Sequence, residues 1–527
     1  MKRWAMPVVF LLVGLFLLHG PMLRDGAGRA HGNMVDGRLV ALLLEHAHQW
    51  VMGHAPSLFS PTWLFYPYPN ALTLADTMLG GVVIYSPLRW MGLEPLRAFQ
   101  VWLVLAAVLG FLAVHRLAGR LGISSLGACV TAFVVTFGMP RVTAAHHPQL
   151  AFFLPVPLVM LALLSAFRTD SRQRRVLATL AAALGLAWQF WSAPYLGLFL
   201  SLALAIVATT LLSLSAPRRV LLAELNRQRL FHATLTVAAS ALFLLCMAPL
   251  VRATLFHGAL VRRSWAEVAT YLPTPAALVF PHGGSVLYGW AHGLLFPFIN
   301  NTGENQLFAG IAVLVAPVVL VLFIRRRANT TIPRSVALVL LAVWASLTLL
   351  MLGDKSGHSL WWLVHALPGG SGVRAVGRVG FFTLFCSALM LGQIVTWLEE
   401  RKRWIWPTVL TVFIVVEGAV DNRYLFSMAS HQRRTSAVQQ DLLRHPACAA
   451  FVLESAQNDF QSYAVQLDAM WASIETGIPT LNGWAGATPP GWDFRGRAFS
   501  RDEAVAWVRR YRGVGGEVCV LPGRRGN

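Results

Sequence analysis

Residues 379–398 read VGFFTLFCSALMLGQIVTWL, a run without a single charged side chain. About 20 apolar residues suffice to cross the hydrocarbon core of a bilayer as one α-helix. Similar runs recur along the chain, and the first of them, near the N-terminus, is predicted to be an uncleaved anchor. Further spans are predicted at residues 98–118, 124–140, 149–167, 176–192, 195–214, 232–251, 307–324, 335–352 and 404–420. The sequence therefore predicts an all-α polytopic membrane bundle of about eleven transmembrane helices.

Composition agrees with this class of protein. Hydrophobic residues make up 56% of the 527 residues and charged residues 13%, whereas soluble domains carry about 25% charged residues. The net charge of +20 comes mostly from short basic clusters between apolar segments. Such clusters are typical of cytoplasmic loops of membrane proteins. The charge therefore predicts orientation in a bilayer, and nucleic acid is not expected as a partner.

The basic clusters predict a cytoplasmic N-terminus and an extracytoplasmic C-terminus. Residues 79–92, LGGVVIYSPLRWMG, are short for a span and contain Pro87 and Arg89. A span there would invert every later loop, so we expect a helix that lies in the outer interface. The resulting prediction is a multi-pass inner (plasma) membrane protein. Its three extracytoplasmic regions are residues 21–97, residues 252–306 and the chain from about residue 421.

Residues 421–527 predict a small periplasmic α/β domain that follows the transmembrane module of residues 1–420. CAAFVLES and EVCVLP are strand-like, and a capping box from Ser500 to Glu503 opens a helix. Cys448 and Cys519 lie in the two strand-like segments. An oxidising compartment favours a disulfide between them, and the alternative is a pair of buried free thiols.

The first outer region contains two candidate functional acids. Asp36 begins a segment whose apolar residues recur at helical spacing, which predicts a helix along the membrane surface. Two roles are open for Asp36: it takes part in the function of the protein, or it caps the N-terminus of this helix. Glu45 lies on the opposite side of the same helix and is predicted to be a solvated charge. Asp76 precedes the interfacial helix, where it caps that helix or binds a ligand.

These segments together resemble the GT-C superfamily of membrane glycosyltransferases, and especially a broad group of its bacterial members. The resemblance rests on a single helix, then a long outer loop with an early acid, juxtamembrane helices and a Tyr-Pro element. The motifs that carry it are Asp36-Gly37, Phe65-Tyr66-Pro67, Arg141 to His147, Tyr195-Leu196-Gly197-Leu198, Arg374-Ala-Val-Gly-Arg378, and Asn482-Gly483-Trp484-Ala485-Gly486 with Pro489-Pro490.

The resemblance implies transfer of a hexosyl or pentosyl group from a polyprenyl-phosphate-linked donor. The acceptor would be a glycan, a lipid or a protein at the extracytoplasmic face of the lipid bilayer. In that superfamily the first-loop acid, which corresponds to Asp36 here, activates the acceptor or binds a metal. A divalent cation is thus compatible with the resemblance. We assign no metal, because His31, Asn33 and Arg38 flank Asp36 where the family often has a second acid.

A glycosyl transfer of this kind requires the same types of residue whatever family the protein belongs to. A carboxylate must take the proton from an attacking acceptor hydroxyl, and fixed cations must stabilise the phosphate leaving group. Asp36 is the candidate base. The alternatives for the other residues are helix capping, structural histidines at helix ends, and arginines that pair with lipid phosphate. The substrate-binding candidates are Asp76, Tyr66, Arg141, His146, His147, Glu304, Arg374 and Arg378.

Two other function classes stay open at this point. A lipid or solute transporter (a flippase among them) would place ionisable residues inside several spans and break helices in paired positions. A non-catalytic envelope assembly protein would use the C-terminal domain for contacts alone. Substitution of Asp36 separates the classes, because an enzyme would lose turnover while an assembly protein would be indifferent.

Overall fold

In the computed structural model the chain is described at residues 2–257, 262–326, 333–401, 404–421, 424–455, 460–511, 513 and 515–523. The N-terminal half is helical apart from strand β1 (Arg29–His31) and its loops. Its α-helices are α1 (Lys2–Ala27), α2 (Asp36–Val51), α3 (Val82–Trp90), α4 (Pro95–Arg120), α5 (Ser125–Phe137), α6 (Met139–Thr143), α7 (Pro155–Arg168), α8 (Arg172–Ser192) and α9 (Pro194–Ser213).

The second half of the transmembrane module is also helical. Its α-helices are α10 (Ser215–Arg227), α11 (Arg229–Leu255), α12 (Trp265–Ala269), α13 (Gly289–Leu295), α14 (Ile311–Arg325), α15 (Arg334–Met351), α16 (Trp361–His365), α17 (Gly380–Glu400) and α18 (Ile405–Glu417).

Eight helical segments among the described residues are long and apolar enough to cross a membrane, by length and composition. They are Trp4–Leu23, Pro95–Arg120, Ser125–His146, Pro148–Arg168, Pro194–Ser213, Arg229–Leu255, Arg334–Met351 and Val376–Glu400. The three other predicted spans are also helices. They are α8, and the shorter apolar helices α14 and α18 of 15 and 13 residues. The all-α membrane bundle is confirmed, whereas the count of eleven crossings and their orientation stay predictions.

Helix α17 lies at the centre of the bundle, with the side chains of residues 380–396 buried. Helix α5 approaches it closely because glycines meet at the crossing. A Cβ on Gly127 would lie 2.4 Å from the carbonyl oxygen of Gly392, and one on Gly392 would lie 2.1 Å from Oγ1 of Thr131. This close contact packs the first turn of α5 against the C-terminal half of α17. Candidate site residues lie beyond the opposite ends of the two helices, after α5 and before α17.

The first outer loop packs its two helices against each other. Glu45 of α2 is 3% exposed and accepts hydrogen bonds from Nε of Arg89 at 2.8 Å and from the Tyr85 hydroxyl at 2.8 Å. The prediction that Glu45 is a solvated charge is therefore wrong. Helix α3 covers the face of α2 on which Glu45 lies, and Arg89 neutralises the carboxylate that this packing buries.

The C-terminal domain is a small α/β unit, as predicted. It contains β2 (Leu425–Ser427), α19 (Met428–Leu443), β3 (Cys448–Glu454), α20 (Phe460–Thr476), α21 (Arg501–Arg510) and β4 (Glu517–Pro522). Strands β3 and β4 pair in parallel, and a disulfide joins Cys448 to Cys519 with Cα atoms 5.7 Å apart. Ser500 caps α21 through the backbone N–H of Glu503.

Two contacts fasten this domain to the first outer loop. Strand β1 pairs antiparallel with β2. The guanidinium of Arg38, fully buried, lies 2.8 Å from Asp468, and its Nε donates a hydrogen bond to Nδ1 of His431. Arg434 also pairs with Asp468, at 2.6 Å. Because Arg38 lies two residues after Asp36, this buried network fixes the start of α2 against the C-terminal domain.

Candidate active site

Asp36 is the first residue of α2, and its carboxylate does not cap the helix because a neighbouring side chain binds the first backbone N–H groups. Oδ1 of Asn33 accepts hydrogen bonds from the backbone N–H groups of Val35 at 2.8 Å and of Asp36 at 2.6 Å. Asp36 therefore does not cap α2: the residue at the N-cap is Val35, and Asn33 binds the first backbone N–H of the helix. The carboxylate of Asp36 instead faces His147, which lies in the turn that leads from α6 towards α7.

The central feature of the site is a row of alternating charges. Oδ2 of Asp36 lies 3.1 Å from Nδ1 of His147, and Nε2 of His147 lies 3.0 Å from Oε1 of Glu304. The other end of the row is a bidentate pair. Arg378 donates from Nη2 to Oε1 of Glu304 at 2.9 Å and from Nε to Oε2 at 3.1 Å. Four residues from four separate segments thus form one row, Asp36–His147–Glu304–Arg378, which we call the acid–base row.

Backbone geometry allows the last pair to form. Arg378 lies in the 3-10 turn Val376–Val379 that leads into α17, and Glu304 lies in the loop before α14. A Cβ on Gly377 would approach Oδ1 of Asn305 to 2.3 Å. Glycine at this position therefore lets the Glu304 loop lie directly on the turn that carries Arg378. The ring of Tyr195 covers the guanidinium at 5.2 Å.

The row determines the protonation of its members. Burial disfavours a charged imidazole, but the carboxylates of Asp36 and Glu304 outweigh burial and raise the pKa of His147 above its usual 6.5. Burial likewise opposes ionisation of Asp36, yet His147 and Trp484 outweigh it and lower the pKa of Asp36. For Glu304, Arg378 and His147 outweigh burial and hold the pKa well below its usual range. Around and below pH 6.5 an imidazolium therefore bridges two carboxylates.

Asp76 is a second acid at the same site, and its pKa is shifted in the opposite direction from that of Asp36. Burial raises its pKa, although Arg378 and the side chain of Gln149 partly offset that rise. It does not cap the 3-10 turn Leu79–Gly81, because the residue at the N-cap of that turn is Met78. The site therefore contains one acid held ionised, Asp36, and one that takes up a proton more readily, Asp76. Opposite shifts of this kind separate acid and base roles in enzymes.

A small cleft opens beside the row, and its lining includes His146, His147, Glu304, Gln306 and Arg378. A larger cavity lies among α1, α4 and α5. Its described lining is mostly apolar and contains no carboxylate. The smaller cleft is lined by Glu304, His147 and Arg378 of the acid–base row, and Asp36 lies next to it through its contact with His147.

The other predicted residues divide between the site and the scaffold. The ring of His146 contacts that of His147 at a tilt of 44°, with ring centroids 4.1 Å apart. Arg141 is buried between two phenylalanine rings and donates to two backbone carbonyls, so it stabilises the turn before His147. Arg374 is 39% exposed and lies 3.6 Å from Glu267. The carbonyl of Tyr66 accepts a hydrogen bond from the Trp507 indole at 2.8 Å. This bond joins the loop that contains Phe65-Tyr66-Pro67 to the C-terminal domain.

The described residues contain no group of three His, Cys, Asp or Glu side chains arranged to hold a metal ion. Carboxylates and imidazole are ligands that divalent cations accept. In the acid–base row, however, each nitrogen of His147 faces a carboxylate, so the imidazolium lies between the two acids. This arrangement does not fit a divalent cation.

Three residues of the C-terminal domain near the acid–base row were not predicted as site residues. The indole of Trp484 packs on the hydrophobic cluster that contains Val35, the residue before Asp36, and helps to lower the pKa of Asp36. Tyr463 contacts Trp484, with ring centroids 4.4 Å apart, and Arg495 lies over both rings. The motif Asn482 to Gly486 was a signal for this region. Nothing in the sequence indicated that Trp484 would meet an acid more than 400 positions earlier.

Comparison with known proteins identifies the fold. No protein-family model and no curated protein sequence matches the chain. Archaeal oligosaccharyltransferase AglB from Archaeoglobus fulgidus, in complex with an inhibitory peptide and a dolichol-phosphate, matches with a TM-score of 0.51 and 11% identity. The match covers 97% of this chain and 69% of that one. The chain shares the fold of this oligosaccharyltransferase, a GT-C-like membrane bundle. The GT-C fold expected from the motifs is thus confirmed.

Two further solved structures were found. The apo form of the Archaeoglobus fulgidus oligosaccharyltransferase has a TM-score of 0.50 at 12% identity, and covers the same shares of the two chains, 97% and 69%. ArnT from Cupriavidus metallidurans in the apo state has a TM-score of 0.36 at 14% identity, with 90% of this chain and 88% of that chain covered.

Proposed function

We propose that this protein is a membrane glycosyltransferase that moves a sugar from a polyprenyl-phosphate-linked donor to an acceptor hydroxyl at the extracytoplasmic face, with Asp36 as the general base. The observation that carries the proposal is the contact between Asp36 and the imidazolium of His147 beside a cleft. It holds a carboxylate ionised at a place where a substrate can reach it. The fold likeness to AglB, whose structure contains a dolichol-phosphate, supports a polyprenyl-phosphate donor.

The proposed step balances without a cofactor. The acceptor oxygen attacks the anomeric carbon, its proton passes to the carboxylate of Asp36, and the bond from that carbon to the phosphate oxygen breaks. The products are the glycosylated acceptor and polyprenyl phosphate, and Asp36 returns its proton to water. A carboxylate base positioned in this way contributes about 10²–10⁴-fold to the rate.

The leaving phosphate needs a cation at the cleft. Glu304 engages Nε and Nη2 of Arg378, so Nη1 is the donor that remains for a phosphate oxygen. The Arg378 guanidinium is planar and fixed by Glu304 and Tyr195, which suits it to stabilise charge that develops on a leaving group. His147, held as an imidazolium by its two carboxylate neighbours, lines the same cleft and adds to its positive side.

Turnover of defined donors tests the proposal. The purified chain in detergent is incubated with polyprenyl-phosphate-linked glucose, mannose, galactose or arabinose, together with envelope material from a strain that lacks the gene. Release of polyprenyl phosphate and the gain in mass of the acceptor are followed by mass spectrometry. We expect turnover of one donor by the wild type and a loss of about 100-fold or more in Asp36→Asn, with donor binding unchanged.

A matched control exists in another outer loop. Asp354 and His358 also form an Asp–His pair, at 2.8 Å, but both are largely exposed and far from the cleft in sequence. Asp354→Asn should retain wild-type turnover. If Asp36→Asn also retained it, Asp76 would be the next candidate for the base. If no donor were consumed by the wild type, and the chain instead moved a labelled polyprenyl lipid across vesicles, the transferase proposal would fail.

A further inference from the structure

Three side chains of the C-terminal domain form an exposed face next to the acid–base row. Tyr463 and Trp484 lie with ring centroids 4.4 Å apart and an interplanar angle of 55°. The guanidinium carbon of Arg495 lies 4.7 Å from the Tyr463 ring centroid and 5.7 Å from that of Trp484. All three side chains are partly exposed. We call Tyr463, Trp484 and Arg495 the aromatic platform.

The platform is held rigidly at Asp36. Nδ2 of Asn482 donates to Oε1 of Gln466 at 2.8 Å, while its Oδ1 accepts from the backbone N–H of Leu453 at 2.7 Å. A Cβ on Gly483 would lie 2.2 Å from the ring of Phe65 in the first outer loop. The backbone before Trp484 is therefore held on both sides, and the indole packs on the hydrophobic cluster that contains Val35, the residue before Asp36.

The guanidinium of Arg495 is available to a ligand. Within the described part of the chain its contacts are the two aromatic rings, without a carboxylate partner. Its near neighbour Arg497 differs, because it pairs with Asp493 at 2.7 Å and with Glu503 at 2.9 Å. A guanidinium that stacks on rings keeps its edge N–H groups free to donate to oxygen atoms.

The backbone at the platform is already used within the protein. The N–H of Gly483 donates to Oε1 of Gln466 at 3.2 Å, and the N–H of Ala487 donates to the carbonyl of Leu74 at 3.2 Å. An extended peptide needs main-chain partners of this kind. What the platform offers instead is aromatic surface with guanidinium donors at its edge.

We infer that the aromatic platform binds a saccharide and thereby makes the acceptor of the proposed transfer a glycan. The C–H faces of a sugar ring pack on aromatic rings, and its hydroxyls accept hydrogen bonds from a guanidinium. Because Trp484 packs on the hydrophobic cluster that contains Val35, the residue before Asp36, a sugar on the platform presents a hydroxyl to the base. The role of this saccharide as the acceptor rests on the proposed function, whereas the saccharide-binding site itself does not.

Saccharide binding by the full chain in detergent tests the platform. Maltotetraose, cellotetraose, mannotetraose and chitotetraose are titrated separately, with binding followed by saturation-transfer NMR. We expect at least one of them to bind with a Kd of about 1 mM. Trp484→Ala and Arg495→Ala should each weaken binding about tenfold, and Trp484→Phe should retain most of it. Arg497→Ala is the matched control and should bind as the wild type does.

Two results would overturn the platform: no tetrasaccharide bound at about 10 mM, or binding that Trp484→Ala and Arg495→Ala both leave unchanged. Unchanged thermal melting of Arg495→Ala guards against a loss caused by misfolding. Donor turnover is measured separately. Saccharide binding that depends on Trp484 in a chain that consumes no donor would support the platform and contradict the transferase. Turnover with a peptide or lipid product and no saccharide binding would do the reverse.

Discussion

Removal of the cation between the two acids should displace the pH dependence of the enzyme. In His147→Gln, Asp36 loses the imidazolium that lies 3.1 Å from its carboxylate. Burial then acts on Asp36 with less opposition, so its pKa should rise. Opposite unit charges about 4 Å apart attract by about 4 kcal/mol at an effective dielectric constant of about 20. Asp36 and His147 are 23% and 17% exposed, and solvent screening reduces this figure.

A change of about 1.4 kcal/mol displaces a titration by one pH unit. We therefore expect the acid limb of kcat/KM in His147→Gln to lie at least about one pH unit above that of the wild type. The alkaline side should change as well. In the wild type His147 loses its proton above pH 6.5, because its pKa is raised, and activity should decline there. Glutamine does not titrate, so that decline should be absent in the variant.

The assay is initial-rate turnover of the preferred donor from about pH 4 to pH 10, the range over which carboxylate and imidazole titrate in proteins. His358→Gln is the control, because it removes an exposed imidazole from a similar pair with Asp354 and should leave both limbs in place. An acid limb that stays where it is in His147→Gln would refute the reasoning. It would mean that His147 does not hold Asp36 ionised, or that Asp36 is not the group that titrates.

Three other predictions concern stability and orientation. Arg38→Met leaves a buried carboxylate with one partner fewer and should cost about 3–5 kcal/mol, seen as a lower melting temperature in detergent with α2 exposed to proteolysis. Loss of the Cys448–Cys519 disulfide, which spans 71 residues, should lower the stability of the C-terminal domain by about 4 kcal/mol, measured by denaturant unfolding with and without reductant; an unchanged midpoint would contradict this. Reporter fusions after Arg326 and after Tyr424 should report the cytoplasm and the exterior respectively, and either opposite signal would contradict the predicted topology.

Local features of the chain were predictable because neighbouring residues decide them. Each predicted span overlaps a helix of the structure, since an apolar run in a bilayer must satisfy its own backbone hydrogen bonds. Helix α2 begins at Asp36 as the apolar spacing indicates, and Ser500 caps α21 as its motif indicates. The strands that carry Cys448 and Cys519 pair with each other, and the two residues are bonded.

Burial was harder to predict, because it depends on what covers a surface. Glu45 lies on the polar side of α2 in the sequence pattern, but α3 packs there and supplies Arg89. Arg141 looked like an outer cation that could meet a phosphate. The structure places it between two rings with its donors bound to backbone carbonyls. In each case a contact from another element reversed the simplest expectation for a charged side chain.

The sequence by itself determined the membrane class, the helical segments, the separate C-terminal domain and the individual acids and bases worth testing. Only the tertiary structure decided that Asp36, His147, Glu304 and Arg378 form one row, and that Trp484 lies against it. Helices follow from hydropathy and capping within a few residues of one another. Ion pairs between segments distant in the sequence exist only where packing, such as the approach of the Glu304 loop to Gly377, brings those segments together.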